Sequence, residues 1–212
     1  MFSEEIQKHT ASYAEKFLNH PFLQEVSRAI LPIKNFTFYI QQDNIFLNDM
    51  DSARRVLRSR KSEYAKKLSD LISSAYRHEL RARRNLITKS LEFTEVESAP
   101  TTLAYTSFLM RLAYQGTFEE ALAALTPCPR LYALMGVRYA KCAANRHPVY
   151  GKWLSIYSSN EMKEWTGDMI GMLDRVAGED PSKKRMMTKC YITACRYEVK
   201  FLDMAYNMES WN

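Results

Sequence analysis

Apolar residues recur every three or four positions along most of this chain, which places them on one face of a helix. No segment shows sustained alternation of apolar and polar residues together with turn residues, so the sequence predicts no β-strands. A chain of 212 residues is long enough to bury a full hydrophobic core. The pattern therefore predicts an all-α bundle of about seven or eight helices, folded as a single domain over residues 1–212.

Capping and breaking residues set the expected ends of the helices in the first half of the chain. Ser3 is expected to start the first helix, and His20-Pro21 to end it. A short helix then runs to about Leu31, and Pro32 opens the third helix. The remaining elements expected in this half are a long basic helix over about Glu63 to Leu91 and a loop from Glu95 to Thr101.

Capping and breaking residues also set the expected ends of the helices in the second half of the chain. Thr117 with Glu120, and Ser158 with Glu161, have the spacing of capping boxes, in which each side chain satisfies a free amide of the other residue. The other expected helices run from about Thr102 to Gln115 with a stop at Gly116, from His147-Pro148, and from Asp180-Pro181 to about Met208.

Two carboxylates interrupt helix faces that are otherwise apolar. Asp43 and Glu198 each occupy one position of a helical stripe, where an ionised carboxylate is costly unless it is paired or protonated. Both are therefore candidates for shifted pKa values and for chemistry, although a core carboxylate bonded to a tyrosine or to backbone explains either one alone. The apolar members of the two stripes are Phe36, Ile40, Phe46, Leu47 and Met50, and Tyr191, Ala194, Phe201, Ala205 and Met208.

Cys128 lies between two prolines in a segment with helical spacing on both sides. This spacing predicts one helix that passes through Pro127 and Pro129 with a kink, because each proline lacks an N–H and pushes away the carbonyl one turn back. A thiol at a kink is well placed to meet a ligand, and it becomes a nucleophile where a base or a positive field favours the thiolate. A buried cysteine that only packs is the competing interpretation.

Several aromatic side chains lie on or near these stripes. Tyrosine rings can stack on a flat ligand while their hydroxyls bind its polar atoms. A core rich in aromatic residues explains any single one equally well. The set is Tyr39, Phe46, Tyr105, Tyr132, Tyr157 and Tyr197.

Composition argues against several classes of protein. The four cysteines form no C-x-x-C pair and no two of the four histidines have i,i+4 spacing, so we expect free thiols and no metal site. No apolar run approaches the roughly 18 residues of a membrane span. The first residues, MFSEEIQKHT, lack the apolar core of a signal peptide. These features predict a cytoplasmic protein with no membrane partner.

The positive charge is concentrated in one segment. Residues 54–89 contain twelve Lys or Arg and three Asp or Glu, a net charge of +9 within a chain of net charge +6. A basic stripe of this kind can bind nucleic acid, but it is more often a solvated helix face. It lacks the interleaved aromatic residues of a strand-binding groove, so no nucleic-acid partner is expected.

A set of short motifs, taken in order and spacing, resembles the TenA proteins, which are the thiaminase II or aminopyrimidine aminohydrolase enzymes. The resemblance covers about His20 to Trp211. No single motif is decisive, whereas the ordered set is fairly specific. The motifs are His20-Pro-Phe-Leu, Leu31-Pro-Ile, Tyr39-Ile-Gln-Gln-Asp43, Ala104-Tyr105-Thr-Ser, Leu125-Thr-Pro-Cys128-Pro, His147-Pro-Val-Tyr150, Trp153, Tyr157-Ser-Ser-Asn-Glu161 and Tyr197-Glu198.

The resemblance implies a haem-oxygenase-like bundle without haem, no cofactor, and a homotetramer. It implies hydrolysis of a small-molecule aminopyrimidine, either 4-amino-5-aminomethyl-2-methylpyrimidine or thiamin, to the hydroxymethyl pyrimidine for thiamin salvage. The roles it implies are a nucleophile at Cys128, an acid and base at Glu198, a carboxylate at Asp43 that binds the aminopyrimidine, and substrate contacts at Phe46, Tyr105, Tyr132 and Tyr157.

Three positions depart from this pattern, namely Phe46 in place of Tyr, Arg83 in place of His, and Leu134 in place of Glu. They put the substrate range in question more than the reaction type. Two alternatives stay open on the sequence. One is a non-catalytic ligand-binding or regulatory protein on the same bundle. The other is a related oxygenase or haem protein, for which His9 and His20 are the early candidates for an axial ligand.

Overall fold

In the computed structural model, ten helices and no strand occur among the residues that it describes, which are 1–60, 62–90, 96–142, 144 and 147–211. The side chains of residues 75 and 79–90 are also outside the described set, and Arg83 is among them. The helices are α1 (Phe2–Leu18), α2 (Pro21–Ser27), α3 (Ile33–Arg58), α4 (Glu63–Ser90), α5 (Pro100–Gln115), α6 (Phe118–Leu125), α7 (Pro127–Arg138), α8 (Tyr150–Tyr157), α9 (Asn160–Ala177) and α10 (Pro181–Asn207). The predicted all-α class is confirmed, but the predicted number of helices was too low.

The long helices α3 and α10 form the centre of the bundle. They pack against each other, α3 also packs along α4 and α5, and α10 packs along α1, α5, α6 and α7. Their buried faces are the two stripes that contain Asp43 and Glu198, so the packing that buries the stripes also buries both carboxylates. Met208 does not belong to its stripe, because it follows α10 in a left-handed conformation and is exposed.

The N-terminal helices differ from the prediction in their ends. Ser3 lies inside α1 and does not cap it, because its N–H and hydroxyl both donate to the Asp174 carboxylate of α9, at 2.7 and 2.8 Å. His20 caps α2, where its Nδ1 accepts the Phe22 N–H at 3.1 Å. The helix ends at Ser27 rather than near Leu31.

The segment around Cys128 forms two helices and not one kinked helix. Pro127 and Pro129 remove the amides that would bond to the carbonyls four residues earlier, so the ladder is interrupted. Thr126 ends α6 and precedes α7, and its hydroxyl donates to the Leu122 carbonyl at 2.7 Å. Cys128 therefore lies in the first turn of a new helix.

The two predicted capping boxes had different outcomes. Thr117 and Glu120 form the predicted box at the start of α6. The box predicted for Ser158 and Glu161 is wrong by one position, because Ser159 is the N-cap of α9 and accepts the Met162 N–H at 3.2 Å. With Ser159 as the cap, the residue three positions later is Met162, so a cap forms but a capping box with Glu161 does not.

Helices α4 and α9 close one side of the bundle. Arg54 of α3 donates to the Ser69 hydroxyl of α4 at 3.1 Å, and the His78 and Trp165 rings of α4 and α9 meet edge to face at 5.2 Å. Within the described part of the chain, no helix is both long enough and apolar enough to span a membrane.

Candidate active site

A cavity of about 90 Å³ lies between α3, α4, α5, α6, α7, α8, α9 and α10. Since one water molecule needs roughly 10–15 Å³ on this measure, the cavity holds several waters or a small ring. All seven residues predicted from the sequence as site residues line it. They are Asp43, Phe46, Tyr105, Cys128, Tyr132, Tyr157 and Glu198.

Glu198 is the most strongly perturbed carboxyl described at this cavity. It is 3% exposed, and its Oε1 accepts the Tyr105 hydroxyl at 2.6 Å. Burial raises the pKa of Glu198 from 4.5 to about 7, while hydrogen bonds donated by the Tyr105 hydroxyl and the Cys128 thiol act in the opposite direction. Near neutral pH, both the acid and the carboxylate are therefore populated.

Cys128 is half-buried and lies within hydrogen-bonding reach of Glu198. It occupies the second position of α7, where the partial positive charge of a helix N-terminus favours an anion. A general base and a helix terminus thus act on the same sulfur, an arrangement that activates a thiol.

Asp43 lies on the buried face of α3 and is 7% exposed. It lines the same cavity as the thiol and Glu198. The neighbouring Gln42 is also buried, and its amide binds the Glu97 carbonyl and the Ala99 N–H, both at 2.9 Å. This pair of bonds fixes the start of α5, which carries Tyr105, relative to the helix that carries Asp43.

Aromatic rings form the walls around these groups. Phe46 lies 5.0 Å from the Tyr105 ring, which is stacked on Tyr197 at 4.9 Å. On the opposite helices, Tyr132 and Tyr157 have ring centroids 4.8 Å apart. Burial raises the pKa of Tyr105 and of Tyr132 well above 10, so both hydroxyls keep their protons and can donate hydrogen bonds.

Gly136 of α7 sets the position of Tyr157. A methyl group at Gly136 would lie 2.2 Å from the Tyr157 carbonyl oxygen and 2.4 Å from its carbonyl carbon. These are backbone atoms that cannot rotate away, so the close approach of α7 to the end of α8 requires glycine here. The placement of one cavity wall therefore depends on a residue that does not touch the cavity.

The sequence analysis missed the walls that α4 and α9 supply. Their apolar residues have the spacing of ordinary core positions, and no pattern separates a cavity wall from a core contact. Leu134 is half-buried against the core and is not among the residues that line the cavity. The missed wall residues include Leu71, Ile72, Tyr76, Met162, Trp165 and Met169.

The described side chains offer little for a metal or for haem. No group of three or more His, Cys, Asp or Glu among them could hold a metal ion. His9 is exposed, and both ring nitrogens of His20 are engaged, Nδ1 by the Phe22 N–H and Nε2 by Asp203 at 3.0 Å. The arrangement suits nucleophilic addition by the Cys128 thiol, because the adjacent Glu198 carboxyl can act both as an acid and as a base.

The chain is similar to known proteins over nearly its whole length. The sequence is 33% identical over 202 residues to an aminopyrimidine aminohydrolase of Halalkalibacterium halodurans, covering 92% of this chain and 90% of that protein. It is 30% identical to an aminopyrimidine aminohydrolase of Bacillus subtilis, covering 100% and 92%. The fold matches a TenA homologue from P. horikoshii OT3 with a TM-score of 0.85 at 24% identity, covering 98% of this chain and 99% of that one. A sequence model of the TENA/THI-4/PQQC family matches residues 4–208, and this chain belongs to that family.

Proposed function

We propose that this protein hydrolyses 4-amino-5-aminomethyl-2-methylpyrimidine to 4-amino-5-hydroxymethyl-2-methylpyrimidine in thiamin salvage, with thiamin as the second candidate substrate. Relatives at 30–33% identity over nearly the whole chain are named aminopyrimidine aminohydrolases. The observation that carries the proposal is the buried Glu198 carboxyl, hydrogen-bonded to Tyr105 and to the Cys128 thiol at the wall of the cavity.

In the first step, Cys128 adds to the pyrimidine ring. Transfer of its proton to Glu198 gives a thiolate, and the sulfur then forms a bond to a ring carbon while an electron pair moves into the ring. Asp43 is the carboxyl proposed to bind the aminopyrimidine, where a protonated acid stabilises the charge that develops on ring nitrogens. The intermediate is a covalent adduct.

In the second step, the protonated Glu198 donates to the leaving amine, so that the bond to the exocyclic carbon breaks without expelling a poor anion. The ionised Glu198 then removes a proton from water, and hydroxide bonds to the same carbon. The electron pair returns through the ring and expels the Cys128 thiolate. A pKa of about 7 suits a residue that must first donate a proton and then accept one near neutral pH.

The aromatic walls are proposed to hold the flat ring. Phe46, Tyr105, Tyr132 and Tyr157 surround the reacting groups and exclude water, which strengthens the electrostatic interactions inside the cavity. Phe46 supplies a ring face without a hydroxyl, so polar contacts on that wall must come from its neighbours.

We further propose a single-domain chain that assembles as a homotetramer in the cytoplasm, with a small aminopyrimidine as its partner and no nucleic acid or membrane. A non-catalytic binding or regulatory protein on the same bundle is the weaker alternative, because the curated relatives named above are hydrolases.

The decisive experiment measures steady-state release of the hydroxymethyl pyrimidine from the aminomethyl pyrimidine and from thiamin. Cys128→Ala should abolish turnover with an unchanged helical spectrum, whereas Cys142→Ala, outside the cavity, should retain it. The ratio of kcat/KM values for the two compounds assigns the substrate. A folded wild type that turns over neither compound would contradict the proposal.

A further inference from the structure

Tyr39 is a fully buried residue whose hydroxyl meets one of the cavity walls. Its hydroxyl lies 2.7 Å from the hydroxyl of Tyr132, and Tyr39 itself does not line the cavity. Tyr39 is on α3, one turn before Asp43, whereas Tyr132 is on α7, one turn after Cys128. The pair therefore joins the helix of the substrate carboxylate to the helix of the thiol.

The Tyr39 ring is held by aromatic neighbours on several sides. Phe22 lies 5.1 Å, Trp153 5.4 Å and Phe201 5.9 Å from its centroid. Rings packed in this way stay in one rotamer because the surrounding core has no space for another. The Tyr39 hydroxyl is consequently a fixed point, and Tyr132 is positioned by it.

The groups around Tyr132 decide which hydroxyl donates. The negative charges of Glu198 and of the Cys128 thiolate act on Tyr132 from the cavity side, and no Lys or Arg occurs among the described residues that line the cavity. The 2.7 Å contact allows either hydroxyl to donate, and these charges favour the arrangement in which the Tyr132 proton faces the cavity and the Tyr132 oxygen accepts the Tyr39 proton. The titratable groups described at this site are Tyr39, Asp43 and Asp51 of α3, Tyr76 of α4, Tyr105 of α5, Cys128 and Tyr132 of α7, Tyr157 of α8, and Cys195 and Glu198 of α10.

We propose that Tyr39 is a positioning residue for the reaction, which acts through Tyr132 by directing the Tyr132 hydroxyl as a donor towards the Cys128 and Glu198 pair. This inference rests on the proposed function of the site. A donor directed at an anion stabilises it, so the Tyr39 hydroxyl contributes to thiolate formation from outside the cavity.

A double-mutant cycle, with kcat as the measured quantity, tests whether Tyr39 acts through Tyr132. Tyr39→Phe should lower kcat about five-fold or more, the ratio that corresponds to an ordinary hydrogen bond. In a Tyr132→Phe background the same change should have no further effect, because the group through which it acts is gone. Tyr150→Phe is the matched control, since this buried Tyr donates to the Leu31 carbonyl at 2.6 Å and should retain wild-type kcat. Independent, multiplying effects of Tyr39→Phe and Tyr132→Phe would overturn the proposal.

A second measurement does not depend on turnover. The rate of iodoacetamide alkylation at Cys128, followed by mass spectrometry across pH, reports thiolate formation directly. The pH at which alkylation reaches half of its maximal rate is the midpoint. This midpoint should rise by about half a pH unit in Tyr39→Phe and in Tyr132→Phe, and stay unchanged in Tyr150→Phe. If wild type turns over no aminopyrimidine but Tyr39→Phe still raises the midpoint, the proposed function is wrong and the positioning role of Tyr39 is supported. A midpoint that is identical in wild type and Tyr39→Phe refutes the positioning role.

Discussion

Replacing Glu198 with Gln should change the pH dependence of stability, because the buried carboxyl binds its proton more tightly when the protein is folded. The pKa of Glu198 is raised from 4.5 to about 7, chiefly by burial. A group with a raised pKa in the folded state contributes stability that is fully present below pH 4.5 and is lost as the pH rises through about 7. At more than about 1 kcal/mol per pKa unit, the loss between pH 5 and pH 8 is roughly 2–3 kcal/mol.

The assay is guanidinium unfolding of wild type and Glu198→Gln at pH 5, 6, 7 and 8. The free energy of unfolding of the variant, minus that of wild type, should increase by roughly 2–3 kcal/mol from pH 5 to pH 8, since the amide does not ionise. Glu164→Gln changes an exposed carboxylate and is the control, for which the difference should stay nearly flat. A flat difference for Glu198→Gln would refute the argument that burial dominates this carboxyl.

Two other changes test the geometry around this group. Gly136→Ala should lower the free energy of unfolding by about 1–3 kcal/mol and reduce kcat, because its methyl group would displace the Tyr157 backbone; unchanged thermal unfolding and activity would contradict this. Tyr105→Phe removes the bond that lowers the pKa of Glu198, so the acidic limb of the kcat/KM profile should move to higher pH. If the acidic limb of Tyr105→Phe moves to lower pH relative to that of Tyr150→Phe, the Tyr105 hydrogen bond does not lower the pKa of Glu198, and the prediction is wrong.

The carboxylates were predictable from the sequence because each is a single polar residue in a helical stripe. Asp43 and Glu198 violate the local pattern, and such violations are expected at functional sites. Cys128 was identified for a similar reason, since two flanking prolines interrupt a helical pattern that continues on both sides. These signals are local, and a sequence displays them directly.

Other features depend on tertiary packing and give no such signal. Met162, Trp165 and Met169 are apolar residues at helical spacing, and only the fold shows that they face a cavity. The bond between Tyr39 and Tyr132 joins residues that are 93 positions apart. The one-position error at Ser158 and Ser159 arose because either serine can cap a helix, and the Glu three positions after Ser158 favoured the one that does not.

The cavity takes its walls from eight helices, between Asp43 in α3 and Phe201 in α10. No single helix or short fragment of the chain contains the site, and α10 must dock before Glu198 reaches the Cys128 thiol. Turnover recovered during refolding should therefore lag behind the recovery of helical signal, since helices form within microseconds and docking takes longer. An activity assay on this protein thus serves as a reporter of the final step of its folding.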